Sequence, residues 1–177
     1  RVLDEICEVI SIDTLVTYSD RTTKTLQLPV ALCGYHGVFR IPSEEALSVM
    51  EEYSKVMPVI AMPHAGAEYK PEPDQIKTTL YRSMIDHGAD VVIGDHPHWI
   101  QSTEAYKGKL IVYSMGNFIF DQQFNAEVTR SAAIQLQLTA KGASKDLTAW
   151  TKIGAECHRY HDSCLELIKA EGLTRLD

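Results

Sequence analysis

The chain opens on extended-strand signals. ICEVISIDTLVTY is dense in β-branched residues, SDRTTK reads as a turn, and TLQLPVALCGY resumes the strand, so residues 2–33 predict a hairpin leading into a buried strand. The period then changes. Ser43 stands at a helix N-cap, with Glu44 and Glu45 in the first turn, where the helix dipole favours acid. Ala46, Met50, Tyr53 and Met57 recur at helical spacing and predict one core-facing stripe. Pro58 ends that helix, and PVIAM predicts a short buried strand that runs into His64.

A Pro- and Gly-rich loop, PHAGAEYKPEP, follows. Asp74 then caps a second helix, with Ile76, Leu80 and Met84 on one face and Gly88 as its stop. DVVIG and KLIVYS predict two further strands. This strand–helix–strand–helix–strand order predicts an α/β domain with a mixed or parallel sheet. After residue 127 the chain alternates as a strand in SAAIQLQLTA, turns at KGASKD and resumes a strand in LTAWTKI. The tail from Asp162 reads as a short helix. There is no internal repeat, low-complexity tract or clear linker.

The 177 residues are 45 % apolar and 23 % charged, enough for one domain with a sizeable core. Seventeen Lys and Arg against 24 Asp and Glu leave a net charge of −7, which argues against a nucleic-acid footprint and a polybasic membrane face. No apolar run approaches the roughly 18 residues of a membrane helix. The four cysteines form no CxxC pair. The spacing of Cys157 and Cys164 suits a short disulfide loop. A zinc cluster of Cys157, His158, His161 and Cys164 is the alternative, although adjacent Cys157 and His158 fit a tetrahedron poorly.

Unusual chemistry gathers at three strand ends: His64 after VIAM, Asp95-His96-Pro97-His98 after VVIG, and Gly116-Asn117 after IVYS. Ligand sites in open α/β sheets lie outside the carboxyl ends of strands, so these tips converge if the strands are neighbours. Imidazole is the commonest transition-metal ligand, and an HxH pair alternating on extended backbone can chelate one ion or serve two. Gly94 would let backbone approach a ligand, and Pro97 stiffens the spacing. His36, His87, His158 and His161 read more simply as surface or hydrogen-bonded residues. Asn117 completing a turn, Glu68 as a solvated charge, and Tyr69 and Trp99 as packing are the plain alternatives.

PHAGAEY (63–69) and GADVVIGDHPHWIQSTEAYKGKLIVYSMGNFIFDQ (88–122) resemble the bacterial capsule-synthesis CapA family, also called the poly-γ-glutamate synthesis PgsA-like family, within the calcineurin-like metallophosphoesterases. The resemblance is strongest over residues 56–122. It implies an αββα sandwich of mixed sheets flanked by helices. It also implies that His64, His96 and His98 are metal ligands, with His98 or a neighbour facing substrate. Glu68, Tyr69, Asp95 and Asn117 match surrounding motif positions. Ala65 replaces the family's Trp, and Asp95 stands where His is common.

The N-terminal acidic ligands of the superfamily have no counterpart in residues 1–55, which implies that residues 1–177 form one domain, the C-terminal half of a CapA-like unit. The expected function is metal-dependent hydrolysis, (phospho)esterase in type, in capsule or poly-γ-glutamate synthesis, using Zn, Mn or Fe. The alternative is a non-catalytic scaffold that binds polymer during assembly and export. Expected partners are a small-molecule or anionic polymer substrate, membrane-associated capsule assembly proteins and the missing N-terminal half, with no nucleic acid. The expected location is the cell surface or outside the cell, anchored through a preceding segment, with the cytoplasm as the alternative.

Overall fold

In the computed structural model the backbone is described for residues 6–17, 21–140, 150–161 and 164–169, and side chains within 6–13, 21–25 and 27–136. The hairpin forms from β1 (Cys7–Thr17) and β2 (Thr23–His36), which pair antiparallel. Then come α1 (Glu44–Ser54), β3 (Val59–His64), α2 (Gln75–Asp86), β4 (Val91–Ile93), β5 (Thr103–Tyr106) and β6 (Lys109–Val112). They build a six-stranded mixed sheet in the order β1-β2-β3-β4-β6-β5, parallel from β2 through β3 and β4 to β6. A second sheet holds β7 (Ser131–Ala140), β8 (Trp150–His161) and β9 (Cys164–Lys169).

Strand alternation sorts the core into two layers. Ala31, Cys33, Val59, Ala61, Val92 and Ile111 face the helices, where they meet Leu47, Met50, Leu80, Tyr81 and Met84. On the opposite face, Val91, Leu110 and Val112 pack against Ile134 and Leu136 of β7, and Leu28, Val30 and Ile60 also meet Leu136. The parallel strands are therefore buried on both faces and read as continuous apolar runs. Consecutive parallel strands in sequence order require crossovers of one hand, which places α1 and α2 on the same face. The architecture is α/β, a mixed sheet with helices on one side and a strand layer on the other.

Both caps form as read. Ser43 Oγ accepts from the Ala46 N–H at 3.3 Å, and Asp74 Oδ1 from the Lys77 N–H at 2.7 Å. Gly88 ends α2 with φ at +100°, a conformation that favours glycine. Three readings need correction. Ile76 is 65 % exposed, and the buried face of α2 is instead Lys77, Leu80, Tyr81, Met84 and Ile85. The face is rotated because Gly66, lacking a Cβ, leaves space for the Lys77 stem. β5 was absent from the sequence reading; it pairs with β6 across Lys107 and Gly108, both at positive φ, the signature of a two-residue primed turn. The tail expected to be helical contains β9, paired antiparallel with β8. In that hairpin Cys157 is in register with Ile168 and Cys164 with His161, so the two cysteines are not cross-strand partners; their side chains lie outside the described residues. Among the described residues, a disulfide joins Cys7 and Cys33, directly opposite each other across β1 and β2.

Candidate metal centre

Parallel pairing of β2, β3 and β4 delivers their carboxyl ends to one edge. His36 is in register with His64, and His64 with Asp95. Beyond the strands the two loops stay latched: Asp95 N–H donates to Pro63 O, Ala65 N–H to Asp95 O, and Tyr69 N–H to Pro97 O. The convergence expected of neighbouring tips is present. His64 Nε2 lies 3.1 Å from His96 Nδ1, with ring centroids 4.8 Å apart. That separation suits an imidazole–imidazole hydrogen bond, and equally two ligands of one ion with bonds of about 2.0–2.1 Å.

The DHPH segment departs from the extended backbone read from sequence. His96 has φ at +97° and His98 at +61°, so the loop coils back and does not alternate like a strand. Left-handed backbone at a non-glycine residue costs roughly 1–3 kcal/mol and persists where surrounding contacts enforce it. The coil brings one ligand atom each of Glu68, His96 and His98 within 4.8 Å of one another. A carboxylate and two imidazoles form a donor set suited to a divalent transition metal. Glu68 Oε1 stands 3.7 Å from His98 Nε2, so the loop after His64 supplies the negative charge. Asp95 turns the other way, its Oδ2 3.7 Å from His64 Nδ1.

His98 is held on several sides. Its Nδ1 is 2.8 Å from Asn117 Oδ1. Asn117 Nδ2 in turn donates to Val128 O and to Gln122 Oε1, which fixes the amide so that its oxygen meets His98. The imidazole must then carry its proton on Nδ1, leaving Nε2 with a free lone pair on the side of Glu68. Tyr69 stacks on the ring at 5.3 Å, Phe120 approaches at 5.5 Å, and Phe124 meets Tyr69 edge-on. Gln122 Nε2 donates to the Tyr69 hydroxyl, linking wall and buttress. His96 is buried, and that burial, reinforced by neighbouring His64, lowers its pKa, which favours the neutral imidazole that binds metal.

Gly94 serves packing. A Cβ there would lie 2.3 Å from the Tyr81 ring and 2.5 Å from Tyr113 O, so the residue makes room for the tyrosine stack beneath the loop. His87 ends α2, Nδ1 2.8 Å from Ser83 O and Nε2 2.9 Å from Glu44. His36, read as a surface or hydrogen-bonded residue, is exposed, and what sequence did not show is that it stacks on both His64 and Phe39. Gln122, Phe120 and Phe124 were missed as well. They lie up to 55 residues from the side chains they meet (124 − 69), and no spacing rule links them.

A family model described as bacterial capsule synthesis protein PGA_cap matches residues 36–122, the segment that holds His64, Glu68, Tyr69, Asp95, His96, His98 and Asn117. Over residues 36–122, the chain is similar to the PGA_cap family. It is 39 % identical over 87 residues to the PGA biosynthesis protein CapA of Bacillus subtilis (strain 168), covering 49 % of this chain and 23 % of that one. It is 40 % identical over 86 residues to the capsule biosynthesis protein CapA of Bacillus anthracis, covering 49 % and 21 %. The chain thus spans under a quarter of the length of these relatives. Among the described residues, no helix of this chain is long and apolar enough to cross a membrane.

Proposed function

We propose that this chain carries part of a metal-dependent hydrolytic centre, (phospho)esterase in type, acting in capsule or poly-γ-glutamate biosynthesis. The observation that supports it is the Glu68–His96–His98 group, with His98 set by Asn117 so that its free nitrogen faces Glu68. These three residues would hold a divalent ion, with His64 beside them through its contact with His96. Such an ion supplies Lewis acidity and an activated water. The protein's own contribution is orientation: Asn117 sets the tautomer of His98, Tyr69 and Phe120 wall its ring, and the DHPH coil fixes His96.

Two neutral imidazoles and one carboxylate can hold one ion but bring a single negative charge, half of what one dication carries. A second dication about 4 Å away would be repelled by roughly 4 kcal/mol for each unit-charge product at an effective dielectric near 20, about 17 kcal/mol for the pair, so a dinuclear site needs further acids. A longer chain is the natural source of those acids. The single-carboxylate donor set also favours the second reading, a polymer-binding component without turnover. On either reading the protein works at the cell surface with membrane-associated assembly partners; the Cys7–Cys33 disulfide supports an oxidising compartment.

The test is calorimetric titration of the 177-residue chain with Zn²⁺ or Mn²⁺, beside His96→Ala and Glu68→Gln, with phosphodiester hydrolysis measured in parallel. One ion bound in the wild type, lost in both variants, with little hydrolysis, is the expected result. Equal binding by all three chains sinks the centre.

A further inference from the structure

Beside the imidazole row lies a cavity of about 330 Å³. Gly37 and Ala65, the residues that follow His36 and His64, form its near wall. His36 stacks on His64, and His64 touches His96, so a continuous line of rings leads from the cavity to the metal centre. Val38, Ile41 and Leu80 line it with aliphatic surface, and Arg40 stands at its exposed side.

The far wall holds Lys77, 1 % exposed. Its ammonium donates to Gln101 Oε1 at 3.1 Å, a neutral acceptor, and rests 5.2 Å from the Tyr81 ring. Among the described residues neither Lys77 nor Arg40 forms an ion pair. Two acids lie near: Asp74, which lines the cavity and accepts from the Lys77 N–H, and Asp95, which leans on His64; both attract the ammonium, but less than burial penalises it. A buried ammonium without a counter-ion is costly, and a ligand carboxylate would supply the missing charge.

We propose that this cavity is a recognition pocket for a carboxylate carried on a short aliphatic stem, as in a γ-linked glutamate unit, with Lys77 and Arg40 taking the carboxylate and Val38, Ile41 and Leu80 the stem. The choice of a polymer unit rests on the capsule reading above; the cavity and its cations do not. The groups that face Lys77 are Asp74 and Tyr81 from α2, Asp95 and His96 from the β4 loop, and Arg40 from the loop after β2. Burial pushes its ammonium down to about 7, against the smaller pull of Asp95 and Asp74. At pH 8 the free chain therefore holds Lys77 mostly neutral, and a carboxylate arriving beside it draws in a proton.

The experiment is titration calorimetry of the 177-residue chain at pH 8, without added metal, in two buffers of different ionisation enthalpy. The probes are a γ-linked glutamate trimer, its fully amidated form and inorganic sulfate. The trimer is expected to bind with uptake approaching one proton, sulfate more weakly, and the amide not at all. Lys77→Met should abolish the uptake and weaken the trimer at least tenfold. Arg40→Ala, at an exposed position that leaves folding alone, should weaken it several-fold and keep the uptake. No trimer binding, or wild-type affinity in both variants, overturns the pocket. Sulfate binding as tightly as the trimer overturns the role of the aliphatic wall. Zn²⁺ titration of the same proteins separates the two readings, since loss of the metal site leaves trimer binding in place, and loss of the pocket leaves metal binding in place.

Discussion

Asn117 Oδ1 lies 2.8 Å from His98 Nδ1, joining the tip of β6 to the loop after β4 across 19 residues of sequence. The contact decides which nitrogen of His98 is free. Asn117→Ala is expected to lower divalent-metal affinity about 10–100-fold without unfolding the chain, the usual cost of losing a hydrogen bond that orients a ligand. Calorimetric titration with Zn²⁺ measures it; an unchanged affinity would show that His98 is oriented by its aromatic walls alone.

Gly94 makes a complementary prediction about packing. Alanine there must displace the Tyr81 ring or the Tyr113 backbone, both fully buried, so Gly94→Ala should destabilise the fold by about 1–3 kcal/mol or more. Urea unfolding reads the change. A variant as stable as wild type means that the loop shifts freely, and the arrangement of His96 and His98 would then shift with it.

Lys77 gives stability a pH dependence of definite sign. Its folded pKa of about 7 lies below the ordinary 10.5, so between those values the unfolded chain binds a proton that the folded chain lacks. Stability therefore rises with pH across that window, by up to about 1.4 kcal/mol per unit from this group, and the gain fades as pH falls toward 7. Urea midpoints of wild type against Lys77→Met from pH 7 to 9 isolate the effect. Parallel pH profiles in the two proteins count against a neutral Lys77.

The Cys7–Cys33 bridge closes a separation of 26 residues at the edge of the sheet. Loop-closure entropy makes its loss worth about 3 kcal/mol, and Cys7→Ser with Cys33→Ser should lower stability by that order. Thiol alkylation under non-reducing conditions should label neither cysteine in the native chain. Free labelling of Cys7 removes the basis of the comparison.

Most of the scaffold was legible because local rules govern it. Ser43 and Asp74 announce helix starts, Gly88 announces a stop, and the apolar runs of β3, β4 and β6 are what strands buried on both faces require. The motif residues His64, Glu68, His96, His98 and Asn117 could be picked out from their strand-end positions and their resemblance to a family. Their arrangement could not. An HxH pair reads as alternation on a strand, and only the latch between the 63–69 and 95–98 loops holds His96 and His98 at positive φ, turned toward Glu68. Lys77 shows the same divide: helical periodicity assigned its face to Ile76, and the space left by Gly66 together with the acceptor on Gln101 turned the charged residue inward. Spacing along the chain specifies which residues share an element. The contacts between elements, which carry no local signal, decide what each side chain meets.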